Sequence, residues 1–455
     1  MPLFCLARRR RWRAFAASLA FVALGCLAIT ISSISGGVRP LAPTSAEDVS
    51  YLGPTVERQA FRGYGDLAFV SLGALYVLDG SDGALHQLTG IEAEATGPQF
   101  SPNGKWLTYS VGTCTCFGLA RAGGSGARTV PLSSNTGGPS WLPDSHLLVG
   151  ATVYQPGSNG KLTAIGKVPA DLVAWSPDGD AFAFEATHVV HVADGAFKGY
   201  WDLEVSPTLN GKRTIWYQSA ISFNPASGRG FQGNQFAGAQ VLAGHAGVLF
   251  WLDPGNSADG SAGWPLYLAR EAGEQPLALG RAFDQTVPAT GDGTLAVATG
   301  DNRFGWVGDQ VHVCSAPAQR CSVVKASPGL IAFDPAWRPG TAELALVEAS
   351  AKTPGNWEQS ATVAWYQTHH LFVLAAGSSR PAELPGTQGA SDPAWSTDGR
   401  SLIYVANNGV LLISHLGAVP VEVASPLLVP TEWGARFGVV NWTSDFAWSD
   451  AAGRR

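Results

Sequence analysis

The sequence predicts an all-β protein made of repeated four-stranded units closed into a ring. Three observations carry that expectation: a turn-rich, weakly charged composition, one short string that recurs along the chain, and two chain ends that each lack what the other supplies. Of the 455 residues, 45% are hydrophobic, enough to build a core, and only 14% are charged, against about 25% in an average chain. Glycine occurs 55 times, tryptophan 16 times and methionine once. Many glycines and aromatics with few charges suit strands joined by tight turns. The net charge of −6 argues against nucleic acid as a partner, because that affinity comes largely from lysine and arginine.

The recurring string is an aromatic residue, a turn and an alternating apolar run. It reads "FSPNGKWLTY" from Phe100, "WLPDSHLLVG" from Trp141, "WSPDGDAFAF" from Trp175, "WRPGTAELAL" from Trp337 and "WSTDGRSLIY" from Trp395. In "SPDG" the serine opens a turn, proline presets φ, aspartate follows and glycine accepts a positive φ. The apolar alternation after it describes a strand with one buried face. The aromatic before it fills space between packed sheets. Further strands follow each copy, such as "GVLLISHL" and "VPVEVAS" after Trp395, so each unit is a meander of about four strands. The first three copies are spaced by 41 and 34 residues, the period of stacked supersecondary units.

The ends support closure. Residues 66–90 hold three strand-like runs with no aromatic-turn strand before them, and "DFAWSDAAGRR" (445–455) holds such a strand with nothing after it. Joining them removes an exposed sheet edge. First strands are counted at Phe100, Trp141, Trp175, near Phe223, near Val287, and at Trp337, Trp395 and Trp448. The expectation is therefore a β-propeller of eight four-stranded blades, or of seven if the Phe223 copy is spurious, closed by the C-terminal strand.

Ahead of the ring, "RRRRWR" (8–13) precedes an uncharged stretch, "AFAASLAFVALGCLAITISSI" (14–34), long enough to cross a bilayer as a helix. Arginines before it favour an N-terminus inside the cell. The domain reading is a basic cytoplasmic segment over 1–13, a transmembrane anchor or signal over 14–35, a linker over 36–60 and the propeller over 61–455. The expected location is the cell membrane, single-pass, with the propeller outside. The alternatives are a secreted or periplasmic chain cleaved near Ser35, a lipoprotein modified at Cys26 and a twin-arginine export signal. The cysteines agree with export: Cys314 and Cys321 flank a short turn between β-rich runs and are candidates for a disulfide. Cys114 and Cys116 read as a local disulfide, free thiols or, weakly, zinc ligands.

Catalytic motifs are absent. There is no G-x-S-x-G, no Walker A loop, no dinucleotide fingerprint and no H-E-x-x-H. His369 and His370 are adjacent in a strand-like run and so point to opposite faces. The loop 253–261 lacks the ligand set for calcium. Asp178 and Asp398 sit in the repeated turns, where geometry explains them. No catalytic residue, metal or cofactor is expected. Binding is expected instead on two insertions that interrupt the repeat: 194–240, with Tyr200, Trp201, Asp202, Trp216 and Tyr217 beside Lys212 and Arg213, and 349–368, with Trp357 and Trp365.

Trp175–Gly179, Trp395–Gly399 and Phe100–Gly104, together with "LYVLDGSDGALHQLT" (75–89), resemble the WD-like repeats of TolB and related exported propellers. That resemblance implies the propeller fold and a periplasmic binding scaffold. Similar propellers precede the hydrolase domain of prolyl-oligopeptidase-like peptidases. The functional expectation is thus a membrane-anchored, extracytoplasmic scaffold for a protein or glycan partner. The alternative is a propeller enzyme acting on polysaccharide, as hydrolase or lyase, or a peptidase-like propeller lacking its catalytic domain. The enzyme alternative requires two or more Asp, Glu or His side chains to converge in the channel.

Overall fold

A computed structural model describes residues 53–450 apart from 133–137, 194–195, 225–228, 254–262, 283–286, 291–292, 301–309, 316–319, 355–358 and 428–441. The chain forms a propeller of eight antiparallel sheets, meanders whose neighbours are hydrogen-bonded in sequence order except where the C-terminal strand joins blade 1 and an N-terminal strand joins blade 8. The innermost strands, called A, are Phe446–Ser449 in blade 1, Ala95–Phe100, Pro139–Trp141, Leu172–Trp175 and Gln235–Val241 in blades 2 to 5, and Leu330–Trp337 and Ser391–Trp395 in blades 7 and 8. Among the described residues blade 6 keeps three strands and replaces its A strand by a single bridge, Ala289 to Leu295. The Gln240 side-chain amide of blade 5 bonds both backbone groups of Val287, at 2.9 and 2.8 Å, and so holds this reduced edge in place.

Three expectations are corrected. Phe223 does not start a blade: it lies in Thr214–Asn224, the fourth strand of blade 4, and the A strand of blade 5 is Gln235–Val241. The alternating apolar pattern of 214–224 is real, but its strands run on past the blade instead of beginning a new one. For the same reason 194–240 is not a loop. It holds blade 4 strand C (Ala196–Ser206), strand D (Thr214–Asn224), a fifth strand (Arg229–Gln232) and the start of blade 5. The linker expected over 36–60 gives way to structure at its end. Thr55–Val56 pairs with Ser425 and Ala424 on the outer edge of blade 8, and Arg58–Phe61 forms a helical turn that buries Phe61. The segment 1–35 lies outside the described residues. Among the described residues no helix is long and apolar enough to cross a membrane.

The ring closes at blade 1 as its ends suggest. Phe446–Ser449 pairs with Asp66–Ser71, Trp448 opposite Leu67, and the Trp448 indole donates to the Tyr64 carbonyl at 2.7 Å. The repeated string serves two jobs. The Ser176 hydroxyl oxygen accepts from the amides of Asp180 and Ala181, both at 3.0 Å, and roofs the turn while Gly179 takes φ 76°; Ser101 does the same with Lys105 and Trp106, and Ser396 accepts from Ser401 while Asp398 takes the Arg400 amide. The aromatic then ties blade to blade: the Trp141 indole donates to the Gln99 carbonyl at 3.2 Å and the Trp395 indole to the Ala336 carbonyl at 3.2 Å. In both cases the acceptor is the residue just before the aromatic of the preceding blade. The turns continue the ring. Asp178 accepts from the Gly244 amide at 2.8 Å, and Asp450 accepts from the Thr397 amide and hydroxyl. Asp178 and Asp398 are held below the usual carboxylate range, the first chiefly by the Ser176 hydroxyl and the second by the Arg400 amide and then Ser396. These carboxylates are structural. The apolar core is correspondingly divided into clusters lying between neighbouring blades, the largest spanning blades 7, 8 and 1.

Candidate functional site

Three successive blades carry an aspartate at one equivalent place, three residues before the A-strand tryptophan: Asp334 before Trp337, Asp392 before Trp395 and Asp445 before Trp448. The A strands of blades 7 and 8 are bulged here, and Asp334 and Asp392 both take positive φ, 47° and 48°. Non-glycine residues adopt this conformation rarely, aspartate more readily than others. The bulge brings the two aspartates together: the Asp392 amide donates to Asp334 Oδ2 at 3.2 Å. Asp445 is buried and close enough to act electrostatically on Asp392.

Burial raises Asp334 to about 6. Asp392 is pushed well above the usual carboxylate range, first by burial and then by the charges of Asp334 and Asp445. Like charges this close cannot both ionise freely, which adds to the rise at Asp392, and coupled carboxyl groups share their titration steps. A raised carboxyl contributes stability below its unfolded value, about 4, and loses it as pH rises through the folded value. Asp392→Asn is therefore expected to match the parent chain in urea unfolding at pH 4 and to exceed it by roughly 1–3 kcal/mol at pH 8. Equal gains at both pH values would sink the shared-proton account.

Beside this row His369 sits in an aromatic box. Trp365, Tyr366 and Phe333 lie 4.4, 4.6 and 5.2 Å from its ring centroid. Its Nδ1 faces the Ala390 carbonyl at 3.2 Å, which makes Nδ1 the donor, and burial pulls the ring down to about 3. The imidazole is therefore neutral. His370 turns outward to Glu383, Nδ1 to Oε1 3.0 Å, so the pair shares no ligand. Among the described residues no three His, Cys, Asp or Glu side chains are grouped to hold a metal ion.

The residues expected to bind fall on different surfaces. Blade 4 strands B (Phe182–Ala193), C and D run 12, 11 and 11 residues, about twice an average strand, and their outer halves extend past strand A. On one face Trp201, Trp216 and Tyr217 pack against the core shared with blade 5, Tyr217 at 4.7 Å from the Phe250 ring. On the other face Tyr200 is 48% exposed, with Val190 at 70% and Val192 at 60%. Asp202 also points to this second face but is buried, 3.2 Å from His188 Nε2 and accepting from Gln218 Nε2 at 2.8 Å. Arg213 is engaged by Asp171 and Glu204 and lies 3.8 Å over the Phe184 ring. Alternation splits Tyr200 from Trp201, while the bulge at Trp216 leaves it on the same side as Tyr217. Trp365 is 3% exposed in the helix Gln359–Tyr366, its indole donating to the Ser350 carbonyl at 3.0 Å. Trp357 lies outside the described residues, as does most of the 253–261 loop. Cys314 and Cys321 are bonded across blade 6 with Cα atoms 4.0 Å apart, and Cys114 is bonded to Cys116.

No family model matches the sequence, and no curated protein does. Solved structures with a similar chain course include a eukaryotic initiation factor, with 12% identity, 80% of this chain and 96% of that chain covered, and a TM-score of 0.42. Dipeptidyl peptidase 4 of Porphyromonas gingivalis gives 10% identity, 81% and 60% coverage and a TM-score of 0.42, so this chain spans 60% of that one. TolB of Acinetobacter baumannii gives 13% identity, 77% and 76% coverage and a TM-score of 0.32. The likeness to TolB is one of propeller fold; no ligand or activity follows from it.

Proposed function

We propose that this protein is an extracytoplasmic binding propeller, tethered to the membrane through residues 14–35, that holds a protein partner on the extension of blade 4. The supporting observation is the solvent face of that extension, where Val190, Val192 and Tyr200 stand 70%, 60% and 48% exposed on strands anchored in the ring. Apolar and tyrosine side chains presented by a rigid sheet suit protein recognition. The polar groups a sugar would need, Asp202 and Arg213, are committed to internal partners, which favours a protein over a glycan. Exchanging Val190→Asp and Tyr200→Ala together is expected to cut partner capture by the full-length chain at least about tenfold, the scale of losing one central contact. A capture profile unchanged by the double substitution would refute the reading. Membrane extraction tests the tether: the chain should resist alkaline washing, and a mature chain starting near Gly36 in the medium would overturn it.

The carboxylate row supports a second reading, acid-base action on a polysaccharide, since paired carboxyl groups with separated ionisation are the means for it. Release of new reducing or unsaturated ends from a polysaccharide panel, abolished in Asp392→Asn, is its test. A panel with no product removes it.

A further inference from the structure

The blade 4 extension has a bare inner edge. Strand B pairs with strand A only as far as Phe184, and the Glu185 amide then reaches the Asp171 carbonyl at 2.9 Å. Past that point no strand among the described residues lies alongside strand B. In an antiparallel ladder alternate residues turn their N–H and C=O to the same side. The Glu185 bond therefore sets the phase: the backbone groups of Thr187, Val189 and His191 point out over the bare edge. Residues 186–193 read Ala-Thr-His-Val-Val-His-Val-Ala. Natural edges usually carry lysine, proline or an inward charge against unwanted pairing; this one carries none.

Taking the extension as the binding surface, we propose that its edge is covered by the same edge of a second copy of this chain, making one sheet continuous across a two-fold dimer. Two copies of an edge pair antiparallel and symmetrically only about an axis perpendicular to the sheet, which keeps each face on its own side. Side chains alternate along a strand, so paired residue numbers must then sum to an even value. Centring on Val189 lets all three outward residues exchange backbone bonds: Val189 with its own equivalent, and Thr187 with His191 in both directions. The intervening pairs place His188 opposite Val190 and Ala186 opposite Val192. Both copies' Val190 and Val192, now 70% and 60% exposed, gather on one face, and both Val189 side chains, 43% exposed, meet on the other. Charge offers no obstacle. Residues 186–193 hold no Lys, Arg, Asp or Glu; Glu185 stands just before them, where strand B is still bonded to Asp171, and Asp202 on strand C already has His188 and Gln218 as partners. One register thus satisfies the free backbone groups and brings the exposed valines of the two copies together.

The test uses the full-length chain in detergent. Val189→Cys is expected to form an intermolecular disulfide at least about tenfold faster than Ile165→Cys, a site 48% exposed on blade 3, because pairing raises the local thiol concentration. Sedimentation should give a dimer for the parent. It should give a monomer of unchanged circular dichroism for Val189→Pro, whose lost N–H served only the edge. A monomeric parent, or crosslinking no faster than at Ile165, overturns the pairing. A monomer whose partner capture still falls with Val190→Asp and Tyr200→Ala overturns the pairing and leaves the binding reading standing. A dimer whose capture ignores that double substitution does the reverse.

Discussion

A chain truncated after Ser444 is expected to lose cooperative folding, whereas one truncated after Asp450 keeps it. The difference is Asp445, the strand Phe446–Ser449 and Asp450. That strand is the A strand of blade 1 and pairs with Asp66–Ser71, every residue of which is buried. Without it this buried strand becomes an open edge, the Trp448 indole no longer reaches the Tyr64 carbonyl, and Asp450 no longer accepts from Thr397 of blade 8. Asp450 joins blade 1 to Thr397 of blade 8, and Phe446 belongs to the apolar core the two blades share, so the loss is of the same order as the roughly 5–15 kcal/mol that stabilise a whole domain. Near-UV circular dichroism, urea titration and size exclusion measure it. A monomeric Ser444 truncation with a sharp urea transition would show that the ring does not depend on this seam.

Phe250→Ala is expected to cost about 3–5 kcal/mol, the range for deleting a buried ring. Phe250 has no exposed surface, and its centroid lies 4.7 Å from Tyr217, 5.5 Å from Tyr267 and 5.7 Å from Phe236. These rings come from blades 4 and 5, so the cavity would open between blades, where neither can collapse alone. Phe250→Leu should cost clearly less, and Tyr200→Ala, on the exposed face, should stay within about 0.5 kcal/mol. Denaturant midpoints separate the three. A loss below about 1 kcal/mol for Phe250→Ala would mean that the space between these blades is loosely filled.

The carboxylate row was written in the chain more plainly than the loops on which sequence reasoning concentrated. "DPAW" occurs at 334–337 and 392–395 and "DFAW" at 445–448, an aspartate at a fixed offset from the packing tryptophan in three of the blades. Read as strand, the aspartate looks like an ordinary polar position. Only the bulges with positive φ at Asp334 and Asp392 bring those two together, and only ring closure sets blade 1 beside blade 8. Tyr200, Trp201, Asp202, Trp216 and Tyr217 looked like one surface because they are close in sequence. Pleating sends Tyr200 to solvent and Trp201 into the core of blade 5.

The sequence alone determined the repeating unit and its turn chemistry, because both depend on local backbone preference and on alternation within a few residues, and it implied closure because the two ends carry complementary parts of one unit. The tertiary structure decided what depends on neighbours distant in the chain: which blade receives each tryptophan, that blade 5 begins at Gln235, that Thr55–Val56 straps blade 8, and that three aspartates spread over 112 residues share one side of the ring. Burial and electrostatic coupling are properties of surroundings, and a linear sequence does not contain its surroundings.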